Sequence, residues 1–430
     1  MQQLTPSTLT PPANLATHDA PPPLSLSLSL SLSQAFSRVR ERTNALAAPL
    51  SPEDCQVQSM ADASPIKWHL AHTSWFFETF ILEPYSEAYR AFDPAFKVLF
   101  NSYYDGIGDK HPRTERGLIS RPTLDRVRSY REHVDAAMLH LLASPAHVAA
   151  AQRLVTLGLN HEEQHQELML TDLKHLLSMN PCSPVYEPAA TMNAAPLAQG
   201  PEWSTFAGGL VEIGHDDGSF AVNFAFDNES PRHQVFLRPF KLANRLVSNR
   251  EYLAFIADGG YSRHDLWLSE GWDRVQNERW RAPLYWRERV EPVNGHGAWT
   301  EFSLHGAAAL ALDEPVCHVS FFEADAYARW AEARLPTEAE WEHAAGQTAA
   351  LTQGFGERWQ WTASAYLGHP GFAVAAGAGA VGEYNGKFMC NQFVLKGSSS
   401  ATAPGHSRVT YRNFFQPEKR WQFSGIRLAQ

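Results

Sequence analysis

Residues 160–168, NHEEQHQEL, place two histidines four positions apart among several carboxylates. Apolar residues flank this stretch at helical spacing, so it is predicted to be helical, with His161 and His165 one turn apart on one face. Such a pair can share one metal ion. HEEQH also matches the H-E-x-x-H pattern of zinc proteases, in which the glutamate is the general base. Because a five-residue pattern often occurs by chance, a metal site, a zinc hydrolase and an ordinary polar helix face all remain open at this point.

A third ligand can come from WHLAH, residues 68–72. His69 and His72 lie there among aromatic residues, where a histidine is usually a core residue rather than a ligand. In helical bundles, however, metal sites are built from side chains on facing helices, so one of the two can meet the His161/His165 pair. Three neutral imidazoles would leave coordination positions open for substrates, and imidazole accepts zinc, iron, copper or nickel.

The elements that must position these histidines are four predicted helices. They cover residues 34–50, 64–82, 121–143 and 145–177. Ser64 is predicted as the N-cap of the second helix, with Pro65 at its first position, and Thr123 as the N-cap of the third. Four helices with one long connection, residues 83–121, indicate a four-helix bundle.

The chain of 430 residues is too long for one compact core and is predicted to form two domains. Residues 1–35 contain a proline cluster and five Leu-Ser pairs, which indicate a disordered, low-complexity extension. Residues 36–182 are predicted to be the helical domain, 183–200 a linker, and 201–430 a domain of short strands, short helices and long loops. The fold class is therefore α+β with two domains.

Two short helices are predicted within the second domain, near residues 248–257 and 321–333. Thr337 and Glu340 have the spacing of a capping box, which indicates that a further helix begins there. Long loops such as those around these elements commonly carry binding residues.

The charge and the cysteine content limit the classes of partner and compartment. The formal net charge is −10 and no run of Lys or Arg is present, so neither nucleic acid nor an anionic membrane is expected as a partner. No apolar run approaches the ~18 residues of a membrane-spanning helix. The four cysteines lie far apart and form no metal pattern, which indicates reduced thiols in a cytoplasmic protein. They are Cys55, Cys182, Cys317 and Cys390.

Five separated motifs, in their order along the chain, resemble the ergothioneine-biosynthesis sulfoxide synthases of the EgtB type. They are SPIKWHLAHTSWFFETFIL, LFNSYYDGIGDKHPRTERGLISRP, NHEEQHQELML, RLPTEAEWEHAA and a C-terminal segment that includes RVTYRNFFQPEKRWQFSGIRLA. The resemblance covers residues 36–430. It implies a DinB-like four-helix bundle joined to a C-type-lectin-like domain related to formylglycine-generating enzymes. It also implies a non-haem Fe(II) enzyme that uses O2 to join a thiol sulfur to the imidazole C2 of hercynine, giving a sulfoxide.

The resemblance assigns the metal site residue by residue. The implied iron ligands are His72, His161 and His165, with His69 a neighbour that is not a ligand. Glu162 then loses the general-base role and is expected on the helix surface or behind the ligands. The resemblance also implies hercynine and a thiol or selenol donor as small-molecule substrates, with O2 as co-substrate.

Matched motif positions also imply contacts to the thiol substrate. Tyr103 and Tyr104 match a tyrosine pair of the branch that uses free cysteine, and one of them is expected close to the reacting oxygen as a proton donor. Arg113 and Arg116 are expected to bind the carboxylate of the thiol substrate, because a guanidinium fits a carboxylate with two hydrogen bonds. From the residues alone, turn packing and a solvated loop remain equally open for these two pairs.

Hercynine contacts follow in the same way. Gln164 matches a residue that helps to hold hercynine, and Phe414 and Phe415 match a loop that holds its trimethylammonium group. Aromatic faces attract a quaternary ammonium through cation–π interaction, although plain core packing is the alternative. Formylglycine-generating enzymes need active cysteines, whereas GSSSAT, residues 397–402, has serine at the corresponding place. The second domain is therefore expected to be a substrate-binding wall rather than a second catalyst.

Several alternatives remain beside the sulfoxide synthase. A selenoneine synthase would join hercynine to a selenosugar, and a relative in ovothiol synthesis would act on histidine and usually carries a methyltransferase domain. The branch that uses γ-glutamylcysteine has Trp-Asp where this chain has Phe414 and Phe415. Two alternatives belong to other functional classes. One is a non-catalytic DinB-like metal-binding or thiol-transferase module, and the other is a zinc hydrolase.

Overall fold

The computed structural model describes residues 24–188, 200–216, 224–288, 299–347, 351–374 and 386–430. Helices dominate the first of these ranges, and strands with short helices make up the others. This division confirms the predicted α+β class with a helical N-terminal domain and a mixed C-terminal domain.

The N-terminal domain is built from α-helices. They are α1 (Leu24–Ala47), α2 (Pro52–Gln56), α3 (Ile66–Phe77), α4 (Glu83–Tyr85), α5 (Phe96–Leu99), α6 (Leu124–Leu142) and α7 (Pro145–Ser178). A π-helical turn, Glu78–Leu82, continues α3, and a 3-10 helix, Arg113–Leu118, lies in the long connection before α6. α7 packs against α1 and α3, while α6 packs against α3, which confirms the four-helix bundle. Within the described ranges, no helix is long and apolar enough to cross a membrane.

The first helix begins earlier than predicted. The predicted disordered extension includes the Leu-Ser pairs, whereas in the structure α1 begins at Leu24 and contains them. Leucine is a strong helix former, and from Leu32 onward the helix buries Leu32, Phe36 and Val39 at helical spacing. Residues 1–23 of the predicted extension lie outside the described residues.

The start of α3 also differs from the prediction in its cap. Pro65, not Ser64, occupies the N-cap position, and no side chain caps the helix. Ser64 has other partners instead, because its N–H donates to Asp172 Oδ2 at 2.8 Å and its hydroxyl accepts from Arg116 at 2.8 Å. By contrast, Thr123 caps α6 as predicted, with its hydroxyl accepting from the backbone N–H of Arg126.

Within the described residues, the C-terminal domain contains four small sheets and four α-helices. Its strands are β1 (Trp203–Phe206), β2 (Gly209–Ile213), β3 (His233–Leu237), β4 (Phe240–Ala243), β5 (Trp286–Glu288), β6 (Trp299–Ser303), β7 (Gly306–Ala309), β8 (Trp359–Ala365), β9 (Phe393–Lys396), β10 (Asn413–Phe415) and β11 (Ser424–Gly425). The sheet orders are β1-β4, β2-β3, β5-β6-β7 and β10-β9-β8-β11. In the last sheet β10 runs antiparallel to β9, which sets Phe414 opposite Val394 and Phe415 opposite Phe393.

The four described α-helices of this domain are α8 (Asn249–Ala257), α9 (Ser269–Glu278), α10 (Phe321–Trp330) and α11 (Glu338–Gly346). Three of them are capped at their N-terminus by a serine or threonine side chain, and the fourth, α9, follows Leu268 without a side-chain cap. α8 and α10 confirm the two predicted short helices, although α10 ends at Trp330, a little before the predicted end. The capping box of Thr337 and Glu340 at the start of α11 is confirmed.

A hydrophobic core extends across both domains. A continuous cluster of buried residues runs from Phe76 and Leu154 in the bundle to Trp359 and Phe423 in the second domain. Tyr186, in the predicted linker, also connects them, since its hydroxyl donates to the Leu46 carbonyl at 2.8 Å. Residues 189–199 of that linker lie outside the described residues.

Candidate metal centre

The predicted ligand histidines converge inside the bundle. His72 comes from α3, and His161 and His165 come from adjacent turns of α7. All three are buried, and one nitrogen from each ring lies within 4.8 Å of the other two. In the described part of the chain this is the one cluster of three or more His, Cys, Asp or Glu side chains whose donor atoms meet in this way.

The hydrogen bond of His72 fixes which of its nitrogens can bind a metal. Its Nδ1 lies 2.7 Å from the backbone carbonyl oxygen of Phe100. A carbonyl only accepts, so Nδ1 carries the proton and Nε2 keeps its lone pair. This Nε2 is buried and has no hydrogen-bond partner among the described residues. A buried imidazole lone pair without a donor fits a metal ligand.

A chain of two side chains fixes His165 in the same way. His165 Nδ1 lies 2.8 Å from His69 Nδ1, and His69 Nε2 lies 3.2 Å from Asp172 Oδ2. The carboxylate accepts, so neutral His69 carries its proton on Nε2 and accepts at Nδ1. His165 must then donate from its own Nδ1, which leaves the lone pair of its Nε2 free for a metal. His165 Nε2 lies 3.2 Å from His161 Nε2, the spacing of two neighbouring ligand atoms.

The electrostatic surroundings keep the three imidazoles neutral. Burial lowers the pKa of His161 to about 4 and places the pKa values of His72 and His165 well below the usual value for histidine. Neutral imidazole is the form that binds divalent transition metals. The donor set therefore fits such an ion, with His72, His161 and His165 as the candidate ligands and His69 behind His165 rather than among them.

Glu162 was expected either on the helix surface or behind the ligands, and the structure excludes the helix surface. It is completely buried and its carboxylate accepts from Arg40 Nη1 at 2.9 Å, from Arg131 Nη2 at 3.0 Å and from the Thr43 hydroxyl at 2.7 Å. Burial alone would raise the pKa of Glu162, but the two guanidinium groups outweigh burial and lower it to about 2. Glu162 thus ties α7 to α1 and α6, and its carboxylate is fully occupied by that role.

Three other polar residues of the same stretch hold the second domain. Glu163 accepts from His406 at 2.9 Å, and Gln164 donates to the Tyr411 hydroxyl at 2.5 Å. Glu167 accepts from several groups at once. Its donors are Trp359 Nε1 at 2.6 Å, Ser399 Oγ at 2.6 Å and Thr402 Oγ1 at 2.7 Å. Sequence reasoning missed the interdomain roles of Glu163 and Glu167. Two of the groups that donate to Glu167, Ser399 and Thr402, lie within GSSSAT.

The two tyrosines lie beside the metal centre at different depths. Tyr104 is buried, and its ring centroid lies 6.2 Å from that of His72. Tyr103 stacks on Tyr104 at 4.6 Å and faces the second domain, where it meets the ring of Phe388 at 5.1 Å. Lys387 donates to the backbone carbonyl of Tyr103 at 2.8 Å. Tyr104 is therefore the closer of the two to the ligand histidines.

Arg116 is a buried cation next to the same centre. Its guanidinium lies 3.4 Å above the ring of Trp68, which itself stacks on His72 at 4.5 Å. It donates to the hydroxyls of Ser64 at 2.8 Å and Ser102 at 3.0 Å, and no carboxylate of the described residues forms a salt bridge with it. Its Nε has no hydrogen-bond partner among these residues. Burial lowers the pKa of Arg116 to about 9, so it remains charged at neutral pH.

Arg113, the other predicted arginine, lies at the surface. Its guanidinium donates to the backbone carbonyl of Asp62, and its side chain is exposed. The two arginines, three residues apart on a 3-10 helix, thus face different surroundings.

The two predicted phenylalanines lie on β10 and are half-buried. Phe414 stacks on Tyr366 at 4.0 Å and lies 6.1 Å from Phe388, the residue that also meets Tyr103. Phe415 meets the ring of Trp421 at 5.5 Å. An aromatic surface of the second domain therefore extends to the tyrosine pair, and a cation could be held against it.

Two family models match consecutive parts of the chain. The DinB superfamily model matches residues 35–169, and the sulfatase-modifying factor enzyme 1-like domain model matches residues 188–354. Individual relatives extend over nearly the whole chain. The chain is 30% identical over 441 residues to the hercynine oxygenase of Mycobacterium tuberculosis, covering 92% of this chain and 97% of that protein. It is 29% identical over 411 residues to the hercynine oxygenase of Mycolicibacterium smegmatis, covering 85% and 91%.

The second domain alone has relatives of another kind. The chain is 32% identical over 173 residues to the formylglycine-generating enzyme of Streptomyces coelicolor, covering 34% of this chain and 48% of that protein. A DinB-type bundle with a three-histidine centre, joined to a sulfatase-modifying-factor-like domain, defines the class of this protein. Within that class, the match over nearly its full length shows that the chain belongs to the hercynine oxygenase family.

Proposed function

We propose that the protein is an iron-dependent hercynine oxygenase that joins the sulfur of cysteine to C2 of the hercynine imidazole and leaves the sulfur as a sulfoxide. The observation that carries the proposal is the buried triad of His72, His161 and His165, in which two tautomers are fixed with Nε2 facing the shared position. Membership of the hercynine oxygenase family supports it. The four free cysteines support a cytoplasmic protein.

The reaction balances without an external reductant. The imidazole C2–H and the thiol S–H bonds are replaced by one C–S bond, one oxygen atom of O2 joins the sulfur, and the other leaves as water. Bound Fe(II) would supply the coordination positions at which the substrates and O2 meet and would pass electrons between them. The three imidazoles are neutral donors, so they leave the ion its full positive charge for a thiolate.

Arg116 is the proposed partner of the cysteine carboxylate. Its guanidinium lies over the ring of Trp68, which stacks on His72, and among the described residues its hydrogen bonds go to hydroxyl groups only. A buried guanidinium without a carboxylate favours an anionic ligand, because charge-assisted hydrogen bonds would offset the cost of burying the charge. Arg113 would assist from the surface.

The second domain is proposed to receive hercynine. Gln164 is held by Tyr411, which orients the amide at the boundary of the two domains. Phe414 and Phe415 offer aromatic faces to the trimethylammonium group, which cannot donate a hydrogen bond. Tyr104 is proposed to hand a proton to the reacting oxygen, because it is the tyrosine nearer to the ligands.

Oxygen consumption tests this function. The protein is loaded with Fe(II) without air, and O2 uptake is followed with hercynine together with cysteine, γ-glutamylcysteine or a selenosugar. We expect uptake that requires hercynine and is fastest with cysteine. Fastest uptake with the selenosugar would make the protein a selenoneine synthase, and uptake without hercynine would contradict the proposal. A His161→Ala variant in excess Fe(II) should be inactive, and wild-type turnover in that variant would refute the three-histidine site.

A further inference from the structure

A line of buried hydrogen bonds connects the second domain to a ligand histidine. Trp421 Nε1 lies 3.3 Å from Asp172 Oδ1, Asp172 Oδ2 lies 3.2 Å from His69 Nε2, and His69 Nδ1 lies 2.8 Å from His165 Nδ1. His69, Asp172 and Trp421 are 2%, 5% and 6% exposed, so water does not replace these bonds. We infer that His69 and Asp172 are positioning residues that set the tautomer and the orientation of His165, and that Trp421 holds them in place from the second domain. This inference rests on the metal centre of the proposed function.

The direction of each bond follows from the donors available. The indole nitrogen of Trp421 can only donate, and the backbone N–H of Ser64 also donates to Asp172, at 2.8 Å. The carboxylate of Asp172 therefore accepts three bonds, from Trp421, Ser64 and His69. With the His69 proton directed at the carboxylate, the remaining nitrogen of His69 is an acceptor. His69 Nδ1 accepts its bond from His165 Nδ1, so the proton of His165 is on Nδ1. The lone pair of His165 Nε2 therefore stays free for a metal ion.

The three ligands are not supported equally. His72 is held by a backbone carbonyl, which no side-chain substitution removes. His161 Nδ1 has no hydrogen-bond partner among the described residues. Of the three, only His165 is held by a series of side-chain hydrogen bonds. That series runs through His69 and Asp172 and ends at Trp421 in the second domain. Hydrogen bonds behind a metal-bound histidine typically contribute 10- to 100-fold in metal affinity or activity, so His69 is expected to matter although it touches no substrate.

A purely structural role would have a different signature. Asp172 also anchors Ser64 just before α3, so its loss could merely loosen the bundle. Substitution at His69 separates a positioning role from a purely structural role, because asparagine and phenylalanine are both close enough in size to occupy the space of the histidine side chain. In His69→Asn the side-chain oxygen can accept from His165 Nδ1, as His69 Nδ1 does. In His69→Phe nothing can accept, and the tautomer is no longer set.

Metal affinity and metal spectroscopy test the inference without turnover. Fe(II) affinity is measured in the full-length protein by competition with a chromophoric chelator, and the Co(II)-loaded protein gives an absorption spectrum that reports ligand geometry. We expect His69→Phe to bind Fe(II) about 10- to 100-fold more weakly with an altered Co(II) spectrum, and His69→Asn to recover most of the affinity. The matched control is His175→Phe on α7, the helix of His165. The His175 imidazole contacts Ser59 instead of a ligand, so this variant should leave both readouts unchanged.

The outcomes distinguish this inference from the proposed function. Unchanged affinity and spectrum in folded His69→Phe, or equal losses in His69→Phe and His69→Asn, would overturn the positioning role. If His69→Phe does not fold, Trp421→Phe is measured instead, because phenylalanine keeps an aromatic ring but lacks the indole N–H that donates to Asp172. It should weaken Fe(II) binding about fivefold, and unchanged binding would overturn the inference. Wild-type protein that binds Fe(II) but consumes no O2 with hercynine would refute the proposed function, while the affinities would still decide the inference.

Discussion

The side-chain amide of Gln164 donates a hydrogen bond to the hydroxyl of Tyr411 at 2.5 Å, although 247 positions separate the two residues in the chain. This bond joins the helix that carries two ligand histidines to the domain that carries the aromatic surface. It lies beside two further interdomain contacts, those of Glu163 and Glu167. One helical stretch therefore carries the proposed metal ligands on one face and contacts the second domain with another.

Removing the Tyr411 hydroxyl tests whether this bond orients a substrate contact. In Tyr411→Phe the amide of Gln164 loses an acceptor worth about 1 kcal/mol, so we expect the KM for hercynine to rise about fivefold. Gln164→Ala should raise it at least as much, and the KM for cysteine should stay the same in both. Steady-state O2 uptake at varied hercynine measures the effect. A change confined to the cysteine KM would contradict the assignment of Gln164 to hercynine.

Glu162→Gln tests the buried ion pairs behind the ligands. Removal of this charge leaves Arg40 and Arg131 buried without their shared partner, so unfolding free energy should fall by about 3–5 kcal/mol. Urea denaturation measures this loss. The matched control is Glu163→Gln, whose carboxylate is partly exposed and bonds to His406, and it should cost about 1 kcal/mol. Equal losses in the two variants would show that the buried ion pairs of Glu162 with Arg40 and Arg131 do not stabilise the fold as expected.

The same carboxylate gives a pH dependence with a defined sign. The pKa of folded Glu162 is lowered from the ordinary 4.5 to about 2, so the unfolded chain takes up the proton first. Its contribution to stability is complete above pH 4.5 and is lost as the pH falls towards 2. The difference in unfolding free energy between wild type and Glu162→Gln should therefore shrink on acidification below pH 4.5. A difference that stays constant down to pH 3 would show that the charge of Glu162 is not the cause.

Arg116→Gln tests the proposed carboxylate site. A charge-assisted hydrogen bond contributes about 1.5–3 kcal/mol, so we expect the KM for cysteine to rise about 10- to 100-fold, with little change in the KM for hercynine. Arg113→Gln is the comparison, because Arg113 is exposed and bonds to a backbone carbonyl. It should change the cysteine KM by threefold at most. A larger effect at Arg113 than at Arg116 would reverse the assignment.

Tyr104→Phe tests the proposed proton donor. Without the hydroxyl, we expect less sulfoxide of the joined product and more cysteine that is oxidised by itself, because O2 can still reach the thiol. The ratio of the two products by liquid chromatography and mass spectrometry is the readout. Tyr103→Phe should leave that ratio close to the wild-type ratio, since Tyr103 packs on Phe388 farther from the ligands. An altered ratio only in Tyr103→Phe would move the role to that residue.

The sequence predicts the parts of the site that depend on local pattern. Helical spacing places His161 and His165 on one face, and the bundle makes His72 available to them, as the structure shows. The capping signals at Thr123 and Thr337 depend on a few neighbouring residues and are confirmed. In these cases the interacting residues lie within one or two turns of the same helix, so a short stretch of sequence is enough to predict the interaction.

The parts that depend on distant elements are not predictable in this way. Glu162 carries no local sign of burial, because its partners Arg40 and Arg131 come from two other helices. Glu167 meets Ser399 only after both domains have folded. The Leu-Ser pairs alternate with a period of two, which is not a helical pattern, yet α1 continues through them as leucine favours helix.

The product formed under labelled oxygen tests the central claim most directly. Protein loaded with Fe(II) is given hercynine, cysteine and ¹⁸O2, and the product mass is determined. We predict a hercynine–cysteine conjugate joined through sulfur that contains one ¹⁸O atom, formed only when both substrates are present. Recovery of unchanged hercynine beside oxidised cysteine would contradict the account.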